Sequence, residues 1–276
     1  MPAPSLALTS LLFVGGIAAG GLGSLLGLGG GVFLVPLLVL VVDVPMRVAV
    51  GISLTTIIAT SSVTTSGSAG RSLINLRLGM LLEVATTVGG LAGGLVAVLI
   101  SQKNLQQLFG CVALAGAFVM LGRLGKRNVL LDPAAQPGRL GGRYYEEESR
   151  GIVTYRVKRL PLALAVSLAA GSVSSLLGIG GGMLKVPALN AWCGVPLRAA
   201  AATSAFMIGV TATVGAVIYY GRGEIIPWMA SAAILGVMVG SRLGFRIGAA
   251  ASARWLKMLL VTVLVVVSVL MFLRAR

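Results

Sequence analysis

Residues 20–54 read GGLGSLLGLGGGVFLVPLLVLVVDVPMRVAVGISL, and residues 171–205 read GSVSSLLGIGGGMLKVPALNAWCGVPLRAAAATSA. The second stretch lies over the first at a constant offset of 151 (171 minus 20) without a gap, and 16 of the 35 pairs are identical. Each copy carries a G-x-G-G-G run, then V-P, and then a V-P-x-R turn. An ungapped repeat of about half the chain, embedded in apolar sequence, is typical of membrane transporters and predicts two pseudo-symmetric halves.

The composition predicts an all-α integral membrane protein. Hydrophobic residues make up 57% of the 276 residues and charged residues only 11%, whereas soluble domains carry about 25% charged residues. Several uncharged apolar stretches have about 18 or more residues, which is enough to cross a bilayer as a helix. With an occasional charge allowed, the apolar runs are 4–42, 48–70, 78–100, 105–122, 160–194, 199–221, 225–248 and 255–273.

The basic residues are concentrated in one segment. The net charge is +15, but nine of the 22 Lys and Arg residues fall in residues 123–159. Because basic residues are retained on the cytoplasmic side of membranes, this pattern is typical of a membrane protein, and we expect no nucleic-acid partner. We predict a first transmembrane repeat at 1–122, a cytoplasmic charged linker at 123–159 and a second transmembrane repeat at 160–276. The expected location is the inner (plasma) membrane of a bacterium, with the lipid bilayer as a partner.

The residues that commonly bind metals are scarce. The chain has two cysteines, Cys111 and Cys193, without a C-x-x-C motif, and it has no histidine. Zinc and haem sites lack ligands as a result. We therefore expect no metal site and no cofactor.

Two apolar runs, 4–42 and 160–194, are too long for a single crossing, which needs about 20 residues. Each is interrupted by G-x-G-G-G. Because glycine weakens helices and tolerates left-handed backbone, we predict in each run a helix, a glycine turn at 27–31 or 178–182, and a shorter re-entrant helix. Three transmembrane helices then follow in each repeat, and this odd number inverts the second half. If each long run crosses only once, the halves are parallel; the loop charges favour the inverted arrangement by a small margin.

The glycine turns are the first candidate substrate-binding site. Successive N–H groups at the start of the helix that follows present a positive end to an anion. The alternative is close helix packing by small residues. A Walker-type phosphate loop is excluded because no G-K-[ST] follows either turn. The candidate residues are Gly29, Gly30, Gly31, Gly180, Gly181 and Gly182.

Lys185 and Glu83 are charged residues that lie within apolar runs. Lys185 stands three residues after Gly182, where the first half has Leu34. A charge in the membrane usually faces a cavity and has a role, so Lys185 is a candidate substrate ligand. The alternative is that Lys185 reaches the membrane surface or pairs with Glu83, which is itself the candidate for proton coupling. Asn190, also in the more polar second half, joins the candidate substrate site.

Two further pairs are matched by the repeat. Ser53 and Ser204 lie in helices rich in hydroxyl groups, which could donate to an oxyanion without the desolvation cost of a charge. The alternative is that these hydroxyls bond their own helix carbonyls. Arg47 and Arg198 could recruit or clamp an anion, and their alternative role is to anchor loops at the membrane surface.

A glycine series at four-residue spacing predicts a close helix contact. The series is Gly236, Gly240, Gly244 and Gly248. The contact could lie within the fold or between protomers, so a homodimer stays open.

The doubled motif resembles that of the sulfite exporter TauE/SafE family of bacterial and archaeal membrane proteins. It stands here as GLGGGVFLVPLL and GIGGGMLKVPAL, followed by VPMRVA and VPLRAA. The resemblance covers essentially the whole membrane portion of the chain. It implies transport, usually export, of small sulfur-containing anions or organic acids such as sulfite and sulfoacetate, without a cofactor or ATP.

We therefore expect a secondary transporter that works by alternating access around a central anion site between the two repeats. The alternative is an anion channel of the same architecture, which would show flux that never saturates. An intramembrane enzyme or lipid-handling protein is disfavoured, because the chain lacks histidine and shows neither paired intramembrane carboxylates nor a nucleophile with its base.

Overall fold

The structure, a computed structural model, describes residues 5–69, 72–121, 136–146, 151–250 and 253–274. Helices account for nearly all of these residues, with one two-stranded hairpin in the middle of the chain. In chain order the elements are α1 (Leu6–Leu26), α2 (Gly31–Leu40), α3 (Met46–Ala69), α4 (Leu76–Val96), α5 (Gln102–Leu121), β1 (Gly142–Glu146), β2 (Gly151–Tyr155), α6 (Leu160–Leu177), α7 (Gly182–Ala191), α8 (Leu197–Gly221), α9 (Pro227–Ala250) and α10 (Ala253–Arg274).

Within the described residues, six helices are long and apolar enough to cross a membrane, namely α1, α3, α4, α6, α8 and α9. Their outer surfaces carry large exposed apolar side chains such as Leu95, Val217 and Leu243. Extensive exposed apolar surface of this kind marks contact with lipid. The chain is therefore a multi-pass, all-α membrane protein, as its composition predicts.

The glycine runs break the two overlong apolar segments. The run 4–42 contains α1 and α2, and the run 160–194 contains α6 and α7. In each break three glycines adopt positive φ: Gly27, Gly29 and Gly30 at 68°, 81° and 80°, and Gly178, Gly180 and Gly181 at 68°, 74° and 71°. Residues with a side chain rarely adopt this backbone, so the glycines end one helix and begin the next.

The short helix α2 lies alongside α1. A Cβ added at Gly15 of α1 would come within 2.6 Å of Leu37 Cδ1 in α2, and one added at Gly30 would come within 3.0 Å of Ala19 O. The end of α2 therefore contacts the middle of α1, and the residue before α2 contacts the second half of α1. The chain therefore reverses direction at the glycine turn.

A second set of glycines brings helices of the two halves into backbone contact. Cβ atoms added at Gly236, Gly240 and Gly244 of α9 would lie 2.1, 2.0 and 2.1 Å from carbonyl oxygens of α1. The predicted glycine contact is thus made within the fold. Between α4 and α6, Cβ atoms added at Gly89 and Gly93 would lie 2.0 and 2.1 Å from carbonyl oxygens of α6. Small residues allow this approach, on which helix association in lipid depends.

The helix pairs cross the division between the halves. α1 packs against α9, α4 against α6, α3 against α8, and α5 against α10. In each pair one helix comes from residues 1–122 and the other from residues 160–276. The core is therefore shared by the two predicted repeats.

The linker contains a β-hairpin that residue composition alone did not predict. β1 and β2 pair antiparallel from Gly142 with Tyr155 to Glu146 with Gly151. Tyr144, Val153 and Tyr155 are buried in a cluster with side chains of α4, α7 and α8. The remainder of the linker, 123–135 and 147–150, lies outside the described residues.

Asn75 holds the hairpin against the ends of the helices. Its Nδ2 donates to Leu140 O at 2.7 Å and to the Tyr155 hydroxyl at 3.1 Å, and its backbone N–H donates to Thr203 Oγ1 at 3.0 Å. Its Oδ1 caps α4 by accepting from Leu78 N. Burial raises the pKa of the Tyr155 phenol, and the hydrogen bond from Asn75 opposes this only in part. The phenol is therefore neutral at physiological pH.

We predict that Gly240→Ala destabilises the protein by about 1–3 kcal/mol, because its Cβ would press on Ile17 O at 2.0 Å. Thermal unfolding of the purified protein in detergent measures this. Gly221→Ala is the matched control, since nothing lies within 4 Å of its Cβ. Equal stability of the two variants would contradict the close contact between α1 and α9.

We also predict that Tyr155→Phe loosens the hairpin, at a cost of about 1 kcal/mol, because Asn75 loses one acceptor. Hydrogen exchange of the amides in residues 142–155 should become faster. Tyr145→Phe is the control, since Tyr145 is 61% exposed on β1, the other strand of the same hairpin. If both variants exchange alike, the bond to Asn75 does not hold the hairpin.

Candidate functional site

The two glycine turns meet in the interior of the protein. A Cβ added at Gly31 would lie 2.1 Å from Gly178 O, and one added at Gly182 would lie 2.5 Å from Gly27 O. All residues of both turns are buried. The six candidate glycines, three from each half, therefore lie together although the turns are 151 residues apart in the chain (178 minus 27).

Ser53 and Ser204 flank the meeting point of the turns. Ser53 Oγ donates to Gly178 O at 2.6 Å and so links α3 to the opposite turn. Ser204 Oγ would lie 3.2 Å from a Cβ added at Gly182, at the start of α7. Ser204 is fully buried, and among the described residues its hydroxyl has no hydrogen-bond partner. The repeat thus places two equivalent hydroxyls, of which one is bonded and one is available.

The start of α7 offers backbone donors. The N–H groups of Leu184 and Lys185 donate to Gly181 O at 3.2 and 3.0 Å, and Gly181 provides no side-chain cap. The N–H groups of the two preceding residues, Gly182 and Met183, have no hydrogen-bond acceptor in the described part of the chain. α2 begins in the same way. Unpaired N–H groups at a helix start carry partial positive charge and attract anions.

Lys185 is buried and lies beside this helix start. It is 1% exposed, and its Cε would lie 3.5 Å from a Cβ added at Gly181. Its Nζ lies 3.7 Å from Glu83 Oε2, and Glu83 Oε1 accepts from Thr211 Oγ1 at 2.7 Å. The sequence left several roles open for Lys185, and in the structure it pairs with Glu83. The separation of 3.7 Å is that of an ion pair and is too long for a hydrogen bond.

The ion pair joins the two halves, Glu83 from the first and Lys185 from the second, and the repeat does not duplicate it. The repeat offset of 151 places Leu34 at the position of Lys185 and Ile234 at that of Glu83. Thr60 matches Thr211 and bonds its own helix at Thr56 O. Two equivalent helix starts therefore differ in charge, because the ion pair adjoins the start of α7 and apolar residues take its place at the start of α2.

The structure places Arg47 and Asn190 away from the turns. The Arg47 guanidinium donates to Val98 O at 2.9 Å and to Ile100 O at 3.1 Å, in the connection between α4 and α5. Carbonyl groups after the end of a helix attract cations. The bonds of Arg47 therefore fit its alternative role, that of a loop anchor. Asn190 Nδ2 donates to Val195 O beyond the far end of α7. Arg198 lies in the first turn of α8, at the position equivalent to Arg47.

Two isoleucines of the site were missed in the sequence. A Cβ added at Gly29 would lie 2.6 Å from Ile208 Cδ1 and 3.1 Å from Ile57 Cγ2. A Cβ added at Gly180 would lie 3.3 Å from Ile57. Both side chains are fully buried. They cover the glycine turns with apolar atoms, which closes the site in this conformation. Their equal register, 57 plus 151 giving 208, was the available signal.

Comparison with known proteins supports the resemblance seen in the motif. The model of the family described as "Sulfite exporter TauE/SafE" matches residues 12–271. The chain is 28% identical over 264 residues to the probable membrane transporter protein YunE of Bacillus subtilis, which covers 93% of this chain and 94% of that protein. It is 26% identical to a probable membrane transporter protein of Methanocaldococcus jannaschii over 97% of both chains.

A third relative, a probable membrane transporter protein of Xylella fastidiosa, is 28% identical over 83% of this chain and 80% of its own length. No solved structure gives a significant match. The family match runs from α1 to α10 and includes both glycine turns. The predicted family resemblance is confirmed.

We predict that Ser53→Ala and Ser204→Ala differ in their effect on stability. Ser53→Ala leaves buried Gly178 O without its 2.6 Å hydrogen bond and should cost about 1–3 kcal/mol. Ser204→Ala removes a buried hydroxyl without a partner and should be neutral or slightly stabilising. Thermal unfolding of the two variants in one detergent measures the difference. Equal losses would mean that the two serines make equivalent bonds.

Proposed function

The chain belongs to the TauE/SafE family of sulfite exporters, and from this membership we propose that it is a secondary transporter that exports small sulfur-containing anions such as sulfite or organosulfonates. The three relatives described above are named probable membrane transporter proteins, which agrees with transport and with a role other than catalysis. The backbone N–H groups, hydroxyl groups and buried ammonium of the interior suit a negatively charged substrate. No cofactor is part of the proposal.

The observation that carries the proposal is the group of donors at the start of α7. The N–H groups of Gly182 and Met183, the hydroxyl of Ser204 and the ammonium of Lys185 all adjoin the same helix turn. An oxyanion such as sulfite has several acceptor oxygens, and each could take one of these donors. The matching turn at α2 would supply donors from the opposite side. We propose the six glycines, Ser53, Ser204 and Lys185 as the central anion site.

We propose that two repeats of inverted topology surround this site. The reversal at the glycine turn, with Leu37 beside Gly15, supports α1 and α2, and likewise α6 and α7, as segments that bring the chain back toward its point of entry. Three crossings, α3 to α5 or α8 to α10, then complete each repeat. The repeat matches α1 to α6, α3 to α8, α4 to α9 and α5 to α10. If each helix is replaced by its match, the pair α1–α9 becomes α6–α4, and the pairs α3–α8 and α5–α10 stay the same, as expected for a two-fold axis.

The sidedness follows the positive-inside rule. Segment 123–159 would lie in the cytoplasm, and the protein would reside in the plasma membrane of a bacterium. Arg77, at the start of α4, adjoins Asn75, which binds the hairpin of that segment. Basic residues of the hairpin and of this helix start would therefore face the same compartment.

The test is flux of labelled sulfite into proteoliposomes of the purified protein, with sulfate, thiosulfate, sulfoacetate and lactate as competitors. We expect saturable flux that sulfur anions compete selectively. Lys185→Met should reduce it about 10- to 100-fold, because loss of a hydrogen bond to a charged group costs about 1.5–3 kcal/mol. Lys158→Met is the matched control, since Lys158 is exposed outside the helices.

Other outcomes separate the alternatives. Flux that rises without saturation and shows no counter-transport would identify an anion channel of the same architecture. Absence of flux for every sulfur anion would refute the proposed cargo while leaving the family and fold in place. Unchanged flux in folded Lys185→Met would remove Lys185 from the site.

A further inference from the structure

The ion pair between Glu83 and Lys185 lacks an explanation in stability. Removing two charges from water is costly, and a buried ion pair is often no more stable than apolar residues of similar size. The positions that the repeat matches to this pair show that the fold accepts apolar residues there, because Leu34 stands for Lys185 and Ile234 stands for Glu83. Buried charges that the fold does not need point to a function.

Glu83 already occupies the role of an anion at the start of α7. Lys185 alone would lie unfavourably beside the positive end of this helix. The Glu83 carboxylate balances that charge from 3.7 Å, while Thr211 donates to its other oxygen. At this distance Lys185 Nζ has no hydrogen-bond acceptor within the described residues. An anion that approached more closely would therefore bind Lys185 better than Glu83 does.

We propose that Glu83 is an internal competitor of the transported anion, and that the anion takes its place on Lys185 when Glu83 takes up a proton. The inference rests on the proposed transport function. The balance is one proton from water, which converts the carboxylate to a carboxylic acid, and one anion, which replaces its charge beside Lys185. The net charge of the buried site is unchanged, and the proton leaves again to water when the anion leaves.

Among the residues that the structure describes, Lys185 is the ionisable group that faces Glu83. α7 faces it with Lys185, α8 with the Thr211 hydroxyl, and its own helix α4 with the hydroxyl of Thr87. α6, which also packs against α4, has no titratable residue. The titratable residues of α8 lie near its two ends. Protonation of Glu83 is therefore the change that frees Lys185 for another anion.

Proton uptake and anion binding are then linked. In the pH range where Glu83 is ionised, the affinity for the anion should fall about tenfold for each unit of pH, because each bound anion requires one proton. Glu83→Gln keeps an acceptor for Thr211 but has no charge to compete for Lys185. This variant should bind the anion with an affinity that does not change with pH.

The experiment is calorimetric titration of the full-length protein in detergent, in buffers of different ionisation enthalpy, which counts the protons taken up. Methanesulfonate is the probe because its own charge does not change over the pH range used, and sulfite is the second probe. We expect about one proton per anion for the wild type and for Glu224→Gln, a matched control at a carboxylate elsewhere in the fold. We expect about none for Glu83→Gln, and no binding for Lys185→Met.

Thr211→Val provides a second variant should Glu83→Gln fold poorly. It removes one hydrogen bond to the charged carboxylate and leaves the ion pair in place. Because the ionised form of Glu83 loses a donor, tight anion binding should persist to higher pH than in the wild type. A pH dependence identical to that of the wild type would count against the inference.

The results distinguish this inference from the proposed function. Binding without proton uptake in the wild type, or the wild-type pH dependence in Glu83→Gln, would overturn the competitor role and leave the anion site standing. Failure of the wild type to bind either probe would overturn the anion site and the inference together.

Discussion

Contact between the two glycine turns is the constraint on which the rest of the structure depends. Irregular backbone inside a membrane must be covered by protein, because lipid offers no hydrogen bonds. Here each turn covers the other, with Gly31 against Gly178 O and Gly182 against Gly27 O, at distances that leave no room for a Cβ. Neither turn has this cover unless the other half is present, so the interior forms only when both halves are packed together.

Helix pairs that join the two halves hold the turns in place. α1 lies on α9 and α4 lies on α6, with glycines facing carbonyls at the closest approach. Lipid tails provide no hydrophobic drive for helix association, so close backbone packing has to supply the attraction. These pairs combine a helix of one repeat with a helix of the other. In the alternating access that we propose, rigid bodies built from such pairs would move more easily than one sequence half against the other.

The sequence predicted the backbone of the site better than its side chains. The all-α membrane class, the helix breaks at residues 27–31 and 178–182 and the closeness of Ser53 and Ser204 to the turns follow from the repeat and from glycine chemistry. Side-chain partners across 50 or more residues do not follow from local pattern. Arg47 bonds carbonyls after α4, and Glu83 meets Thr211, for reasons visible only in packing. In the hairpin, Tyr144 alternates with exposed neighbours, but Val153, Thr154 and Tyr155 are all buried, so the second strand lacks the alternating pattern that predicts a half-buried strand.

Symmetry and its local loss have separate physical roles in this interior. The two glycine turns have matching backbone angles, and in the described part of the chain the first N–H groups of α2 and α7 have no acceptor, so two similar helix starts face one region. Backbone donors attract any small anion, and symmetric ones would hold it from both sides with little discrimination. The pair of Glu83 and Lys185 makes the two sides unequal, because the positions that the repeat matches to it hold the apolar residues Ile234 and Leu34. In the proposed transport, selectivity and a link to protons therefore depend on this pair, because the backbone that the two halves share has no ionisable group.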